Sequence, residues 1–252
     1  MKVRIVPSTY DGNQQLLTSY VINGTLAVDA GALAIGLSTE EQLKLRGIVI
    51  THMHLDHIFS LPFMLLNLWE DVKEPIQLFA TAADFAALKR YIFNSRVWVS
   101  FDVLKNDHGP FVVHRKYRTG ETFEVDGLKL TALPVSHTVL THGILIEDDE
   151  VAVLFTSDTG ATTHIWKTAN SCDKLKAVFI DLSFPNRLTE LAKVSRHHSP
   201  ETLREEISKV RSDIQIFGVH LKVPYRNRIV EEIVALNEPR IKVADIGKTY
   251  EF

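Results

Sequence analysis

One cysteine, Cys172, stands in 252 residues. It cannot close an internal disulfide or build a thiolate metal cluster. Long apolar runs are missing too: no window approaches the ~18 to 20 uninterrupted apolar residues of a spanning helix. The greasiest stretch, Ile58 to Trp69, is interrupted by Pro62 and Asn67. The opening MKVRIVPSTYDGNQQ turns polar before an apolar run of signal-peptide length can form. A soluble, cytoplasmic chain with no membrane partner is therefore expected. Positive charge is not in excess, with 28 Lys+Arg against 31 Asp+Glu, a net charge of −3 and no basic block. A dedicated nucleic-acid binder is disfavoured, because nothing concentrates the charge that would neutralise a phosphate backbone. With 45% hydrophobic residues and so small a net charge, disorder is excluded as the dominant state. What the chain has in plenty is histidine, eleven in all.

No linker, low-complexity segment or repeat interrupts the sequence, so residues 1–252 are expected to form one domain. Strand-like runs at 3–6, 19–22 and 26–29 read as an opening meander, with turns at Asp11-Gly12 and Asn23-Gly24. Residues 47–50 form a short apolar strand, expected to be buried on both faces. Residues 59–72 carry apolar side chains at helical spacing, 76–80 read as a strand and 82–92 as a helix. The segment around 92–118 reads as a surface excursion, and its aromatics Phe93, Trp98, Phe101 and Phe111 are expected to cover a partner, a second copy of the chain in a homodimer. Further strands are expected at 122–125, 128–133 (after a turn at Asp126-Gly127), 143–146, 151–155, 177–181, 214–219 and 241–244. Helices are expected from Ser199 to about Val210 and over 228–236. Hairpins early and helices later suit an α/β fold of two sheets packed face to face with helices outside.

The decisive segment is Ile48-Val49-Ile50-Thr51-His52-Met53-His54-Leu55-Asp56-His57. A buried strand ends, and within six residues come three imidazoles and a carboxylate, the usual ligands of zinc and similar divalent ions. His52 and His54 are two apart, so in extended chain they point the same way and can hold one metal. Asp56 and His57 follow where the chain turns and can diverge toward a second.

His-x-His-x-Asp-His after a strand resembles the signature of the metallo-β-lactamase superfamily, whose αββα sandwich has two mixed sheets with helices outside. The resemblance implies three more ligands at later strand ends, and the sequence offers His137 in Val-Ser-His-Thr, Asp158 in Ser-Asp-Thr-Gly and His220 after the strand at 214–219. The ligand set it implies is His52, His54 and His137 on one ion and Asp56, His57 and His220 on another, with Asp158 bridging. The cofactor implied is two divalent ions, zinc first, with manganese and iron as the other candidates. Asp29, in Ala-Val-Asp-Ala-Gly, reads equally as a support for a ligand or as a plain strand-end turn.

Finer motifs, including Leu-Ser-Phe-Pro-Asn at 182–186 and His220-Leu221-Lys222-Val223-Pro224, resemble class II 3′,5′-cyclic nucleotide phosphodiesterases over most of the chain. That family usually has glycine at the position of Ser60, a Glu-Cys pair where this chain has Asp181-Leu182, and no residue equivalent to Val223. The resemblance implies hydrolysis of a small cyclic nucleotide to its 5′-monophosphate. Two metals about 3.5–4 Å apart suit that chemistry, because they bind phosphate oxygens and activate water at neutral pH. Asp56, His197 and Lys222 are the candidate catalytic residues. Asp56 doubles as a ligand, His197 stands in a His-x-Ser-Pro motif before a helix as a proton donor to the 3′ oxygen, and Lys222 offers a cation to phosphate. His108, His114, His142 and His164 are read as surface or structural. Three other readings share the ligand set: a tRNA 3′-processing endonuclease, a thioester or lactam hydrolase, and an inactive metal-binding scaffold.

Overall fold

The computed structural model describes residues 1–9 and 14–252, so the turn expected at Asp11-Gly12 lies outside the described residues. The chain forms two compact units. The N-terminal unit comprises Lys2–Arg118 and Ile246–Glu251, and the C-terminal unit comprises Thr119–Asp245 with Met1 and Phe252.

In the N-terminal unit β1 (Lys2–Ile5), β2 (Tyr20–Ile22) and β3 (Leu26–Val28) run antiparallel. Asn23 and Gly24 join β2 to β3 at φ 51° and 80°, the backbone an Asn-Gly hairpin turn requires. The sheet then becomes parallel through β4 (Gly47–Val49) and β5 (Ile76–Ala80). Every residue of β4 is buried, as its apolar composition predicts. After β6 (Lys105–Asn106) and β7 (Gly109–Pro110), a small hairpin, β8 (Val112–Lys116) pairs parallel with β5.

The expected surface excursion is thus narrower than the sequence reading: its last third is a sheet strand. Its aromatics also turn inward. Phe93 and Phe111 are buried in the unit's own core, and Trp98 and Phe101 pack against it, because rings of that size gain more from burial than from water.

Among the described residues, five α-helices of this unit lie in the connections that follow β3, β4 and β5. α1 (Leu33–Gly36) and α2 (Thr39–Leu43), the latter started by a Ser38/Glu41 capping box, are too short for periodicity to reveal. The helix expected over 59–72 is two pieces, α3 (Leu55–Ile58) and α4 (Leu61–Asn67). Pro62 sits in the first turn of α4, where its missing N–H costs nothing. α5 (Ala82–Tyr91) is N-capped by Thr81.

In the C-terminal unit β9 (Thr122–Val125), β10 (Leu128–Pro134), β11 (His142–Glu147) and β12 (Ala152–Phe155) are antiparallel, and β13 (Leu175–Asp181), β14 (Gln215–Val219) and β15 (Ile241–Val243) continue parallel. Asp126 and Gly127 make the second left-handed hairpin turn. Phe155, Phe179 and Phe217 stand in register on β12, β13 and β14 and stack at 4.9 and 5.0 Å. Of the helices, α6 (His164–Ser171) and α7 (Thr189–Ser195) went unread in the sequence, whereas α8 (Pro200–Ile207) and α9 (Arg226–Ala235) were expected. Ser199 and Thr202 cap α8, which ends three residues before Val210. Trp166 of α6, Leu203 and Ile207 of α8, and Ile229 and Ile233 of α9 bring those three helices into one apolar cluster with Leu154, Val178, Ile180 and Ile216 of the sheet.

β16 (Thr249–Glu251) returns to the N-terminal unit and pairs antiparallel with β1. Among the described residues each unit has a mixed sheet of seven strands with helices, the α/β class the sequence implied. No described helix is long and apolar enough to cross a membrane.

Candidate metal centre

In the N-terminal unit the parallel strands end in the loops that carry chemistry. Asp29 follows β3 and His52 stands three residues past β4, at the same edge of the sheet, because β3 and β4 are parallel. The rings of His52 and His54 lie 4.7 Å apart and those of His52 and His57 4.1 Å apart. His54 is the N-cap residue of α3, and Asp56 and His57 belong to its single turn. The six-residue motif therefore delivers its donors together.

Asp29 holds this cluster. It is buried, with φ 61°, a left-handed backbone that an aspartate tolerates better than most side chains. One carboxylate oxygen accepts from Thr51 N at 2.8 Å, and the other lies 2.7 Å from His57 Nδ1. With Nδ1–H given to Asp29, His57 presents Nε2 as its basic nitrogen. Thr51 Oγ1 donates to Asp29 and lies 3.0 Å from His52 Nδ1, which sets the His52 ring in the same sense. The strand-end turn and the support for the His57 ring are thus one residue. Gly31 completes the arrangement: a Cβ there would strike the carbonyl oxygen of Asp56 and the backbone of Thr18. Ser60, at a position where the family favours glycine, gives its hydroxyl to Ala30 O at 2.9 Å and accepts from Ala34 N at 3.1 Å. It ties the same loop down.

In the C-terminal unit β10, β12, β13 and β14 point the same way, and each contributes at its carboxyl end. His137 follows β10, Asp158 follows β12, Asp181 closes β13 and His220 follows β14. Asp158, Asp181, His197 and His220 offer ligand atoms that all lie within 4.8 Å of one another. His137 Nε2 is 3.7 Å from Asp158 Oδ2, and His220 Nδ1 is 3.5 Å from Asp158 Oδ1. Ser157, Arg196 and His220 have positive φ, as Asp29 does in the other unit. Such left-handed turns cost about 1–3 kcal/mol each and concentrate where function demands a side-chain direction.

Two residues here had no assigned role in the sequence reading. Asp181 is buried, accepts from Ser183 Oγ at 2.7 Å and lies 2.5 Å from His197 Nδ1. Burial alone would raise its carboxyl pKa. The His197 charge and the hydrogen bonds from His197 and His220 outweigh that and hold it well below the usual range. The available signal was a charged residue ending an otherwise apolar strand, at the position where the family has glutamate. Arg196 fixes His137 from both sides: its carbonyl oxygen is 3.2 Å from His137 Nδ1, and its guanidinium donates to His137 O at 2.5 Å.

Lys222 places Nζ 3.3 Å from His220 Nε2. The four histidines read as surface or structural are so placed: His108 and His164 are exposed, His114 stacks on Phe85 at 3.8 Å, and His142 is buried, 2.8 Å from Thr119 Oγ1. Buried imidazoles with their Nδ1 atoms engaged and buried carboxylates fit a divalent cation, because the donor set is imidazole nitrogen and carboxylate oxygen with the rings already oriented.

Comparison with known proteins agrees with this donor chemistry. The model of the beta-lactamase superfamily domain matches residues 29–218. A 3′,5′-cyclic-nucleotide phosphodiesterase of Aliivibrio fischeri is 23% identical, with 96% of this chain and 86% of that protein covered. Among solved structures, unliganded yeast PDE1 matches with a TM-score of 0.81 at 15% identity, covering 98% of each chain. The metallo-β-lactamase fold protein YhfI of Bacillus subtilis matches with a TM-score of 0.76 at 13% identity, covering 99% of each. The fold is the metallo-β-lactamase fold.

Proposed function

We propose a 3′,5′-cyclic-nucleotide phosphodiesterase activity for this chain, which belongs to the beta-lactamase superfamily and is a metal-dependent hydrolase. The observation that carries the reading is the match to the Aliivibrio fischeri enzyme along nearly the whole chain. The Ser-Asp-Thr-Gly, Ser-Phe-Pro-Asn and His-His-Ser-Pro segments support it from the sequence side.

Under this reading residues 1–252 act as one hydrolase domain. His52, His54 and His137 would hold one divalent ion, Asp56, His57 and His220 a second, and Asp158 both, with zinc the first candidate. Such ions supply Lewis-acid charge to a phosphodiester anion and lower the proton affinity of water. The chain's own residues do the rest. Asp29 and the Arg196 carbonyl keep His57 and His137 turned with Nε2 outward. Asp181 engages Nδ1 of His197, so His197 has Nε2 for delivering a proton to the 3′ leaving oxygen. Lys222 brings a cation for the phosphate. The product is the 5′-monophosphate.

The test is incubation of metal-replete protein with cyclic AMP, cyclic GMP and a tRNA precursor, with chromatography of the products and elemental analysis of the protein. The expected outcome is 5′-AMP or 5′-GMP and two divalent ions per chain. Cleavage of the precursor with both cyclic nucleotides intact would replace the proposal with a tRNA-processing activity. Bound metal with no turnover of any substrate would leave a metal-binding scaffold.

A further inference from the structure

Among the described residues, eight of the fifteen exposed large apolar side chains fall between residues 55 and 103 of the N-terminal unit: Tyr91, and seven in the two runs 55–66 and 97–103. Leu55, Phe59, Phe63 and Leu66 follow one another at helical spacing along α3 and α4, one stripe on one side. Phe59 and Phe63 are ring neighbours at 5.9 Å, and Phe63 meets Trp98 edge-on at 5.0 Å. Trp98 leads into a groove of about 430 Å³ between Leu66 and the segment 95–103, with Val97, Val99 and Val103 on its walls and Arg96 as its one charged lining residue. The patch is therefore continuous, and it carries a ridge of two phenylalanines beside a groove.

We infer that this face is the contact between two copies of the chain. A two-fold interface uses the same patch twice, so the patch must be its own complement. A ridge beside a groove meets that condition, with Phe59 and Phe63 of one copy entering the 95–103 groove of the other.

The area fits as well. At 38% to 61% exposure the seven side chains present on the order of 500 Å² of apolar surface, scaled from ~200 Å² for a whole aromatic side chain. One side of a standard interface buries ~800 Å², a little over half of it apolar. Elsewhere among the described residues, such side chains stand close in sequence only as the pairs Val139–Leu140 and Leu191–Val194. One arginine in the groove is too little charge to select an anionic membrane or a nucleic acid. The inference is independent of the phosphodiesterase reading.

Sedimentation velocity of the full chain over a wide concentration range tests it. The wild type is expected to be a dimer. Phe63→Asp and Val97→Asp should each weaken self-association by about 100-fold or more, as loss of a central apolar contact does, with the circular dichroism melt preserved. Val97 is 61% exposed, so its substitution decides the question even where Phe63→Asp impairs folding. A monomeric wild type at all concentrations overturns the inference, and so does a dimer that persists in both variants. Wild-type binding to phosphatidylcholine vesicles without self-association assigns the patch to lipid and overturns it too.

Discussion

The N-terminal unit draws His52, His54, Asp56 and His57 from one loop of six residues, whereas the C-terminal unit draws His137, Asp158, Asp181 and His220 from the ends of four strands. The two solutions are held differently. In the loop, the pin on His57 Nδ1 is a side chain, the Asp29 carboxylate at 2.7 Å. At the strand ends, the pin on His137 Nδ1 is a backbone carbonyl, that of Arg196 at 3.2 Å. A clustered set thus depends on one replaceable residue, while a dispersed set is built into the course of the chain. The comparison predicts where substitutions hurt.

The largest effect should come from Asp158. In the proposed ligand set it serves two ions, whereas His54 serves one. Asp158→Ala is expected to lower kcat/KM by about 10³–10⁵-fold, the several kcal/mol a metal supplies to a charged transition state, and to remove metal at both positions. His54→Ala should cost less and leave part of the metal content. Elemental analysis beside steady-state kinetics checks both. Equal metal retention in the two variants would remove the bridging role.

His197 tests the C-terminal set without touching the proposed ligands. As the proton donor held by Asp181, it predicts that His197→Ala lowers kcat on cyclic AMP by about 10²–10⁴-fold with metal content intact. The loss should shrink on bis(p-nitrophenyl) phosphate, whose leaving group hardly needs a proton. A misfolded variant would lose both activities alike. Unchanged activity on cyclic AMP would pass the donor role to Lys222.

The side-chain pin and the backbone pin separate at the next level. Asp29→Ala removes the partner of His57 Nδ1 and of Thr51, and metal affinity should fall by about 10–100-fold, the usual cost of losing the group that orients a ligand. Arg196→Met removes only the guanidinium from His137 O and leaves the carbonyl at Nδ1, so affinity should fall less than about 10-fold. Metal titration followed by chelator competition gives both numbers. A larger loss for Arg196→Met than for Asp29→Ala would reverse the comparison.

The same contrast explains what the sequence disclosed. The loop motif was legible because its donors are neighbours in the chain, and both left-handed hairpin turns among the described residues were legible because Asn-Gly and Asp-Gly leave few alternatives. His137, Asp158 and His220 needed the resemblance to a family, since each alone is an ordinary residue after a strand. Asp181 escaped because its role depends on His197, sixteen residues on, reaching back across α7 to the end of β13. The helices α1, α2 and α7 escaped because a few residues of helix have no period to detect. The 112–116 strand was hidden by polar His114, Arg115 and Lys116, which an edge strand tolerates.

The smallest expected effect concerns His198, beside His197 but turned into the C-terminal unit. It is buried, with Nδ1 3.0 Å from Thr202 Oγ1. Burial lowers its pKa below the usual 6.5, against the opposing pull of the Asp181 and Glu206 charges. The unfolded chain therefore takes up a proton near pH 6.5 that the folded chain still refuses. Stability owed to neutral His198 is complete above that pH and declines as the pH falls below it. Between pH 7.5 and 5.5 the wild-type stability should therefore fall. His198→Asn keeps a donor toward Thr202 and cannot titrate, so its stability should fall less over the same interval. Urea unfolding of both proteins at the two pH values, in one metal-free buffer, makes every other titrating group common to both. Parallel pH dependence in the two would mean that His198 is protonated inside the fold, and the buried neutral imidazole would have to be abandoned.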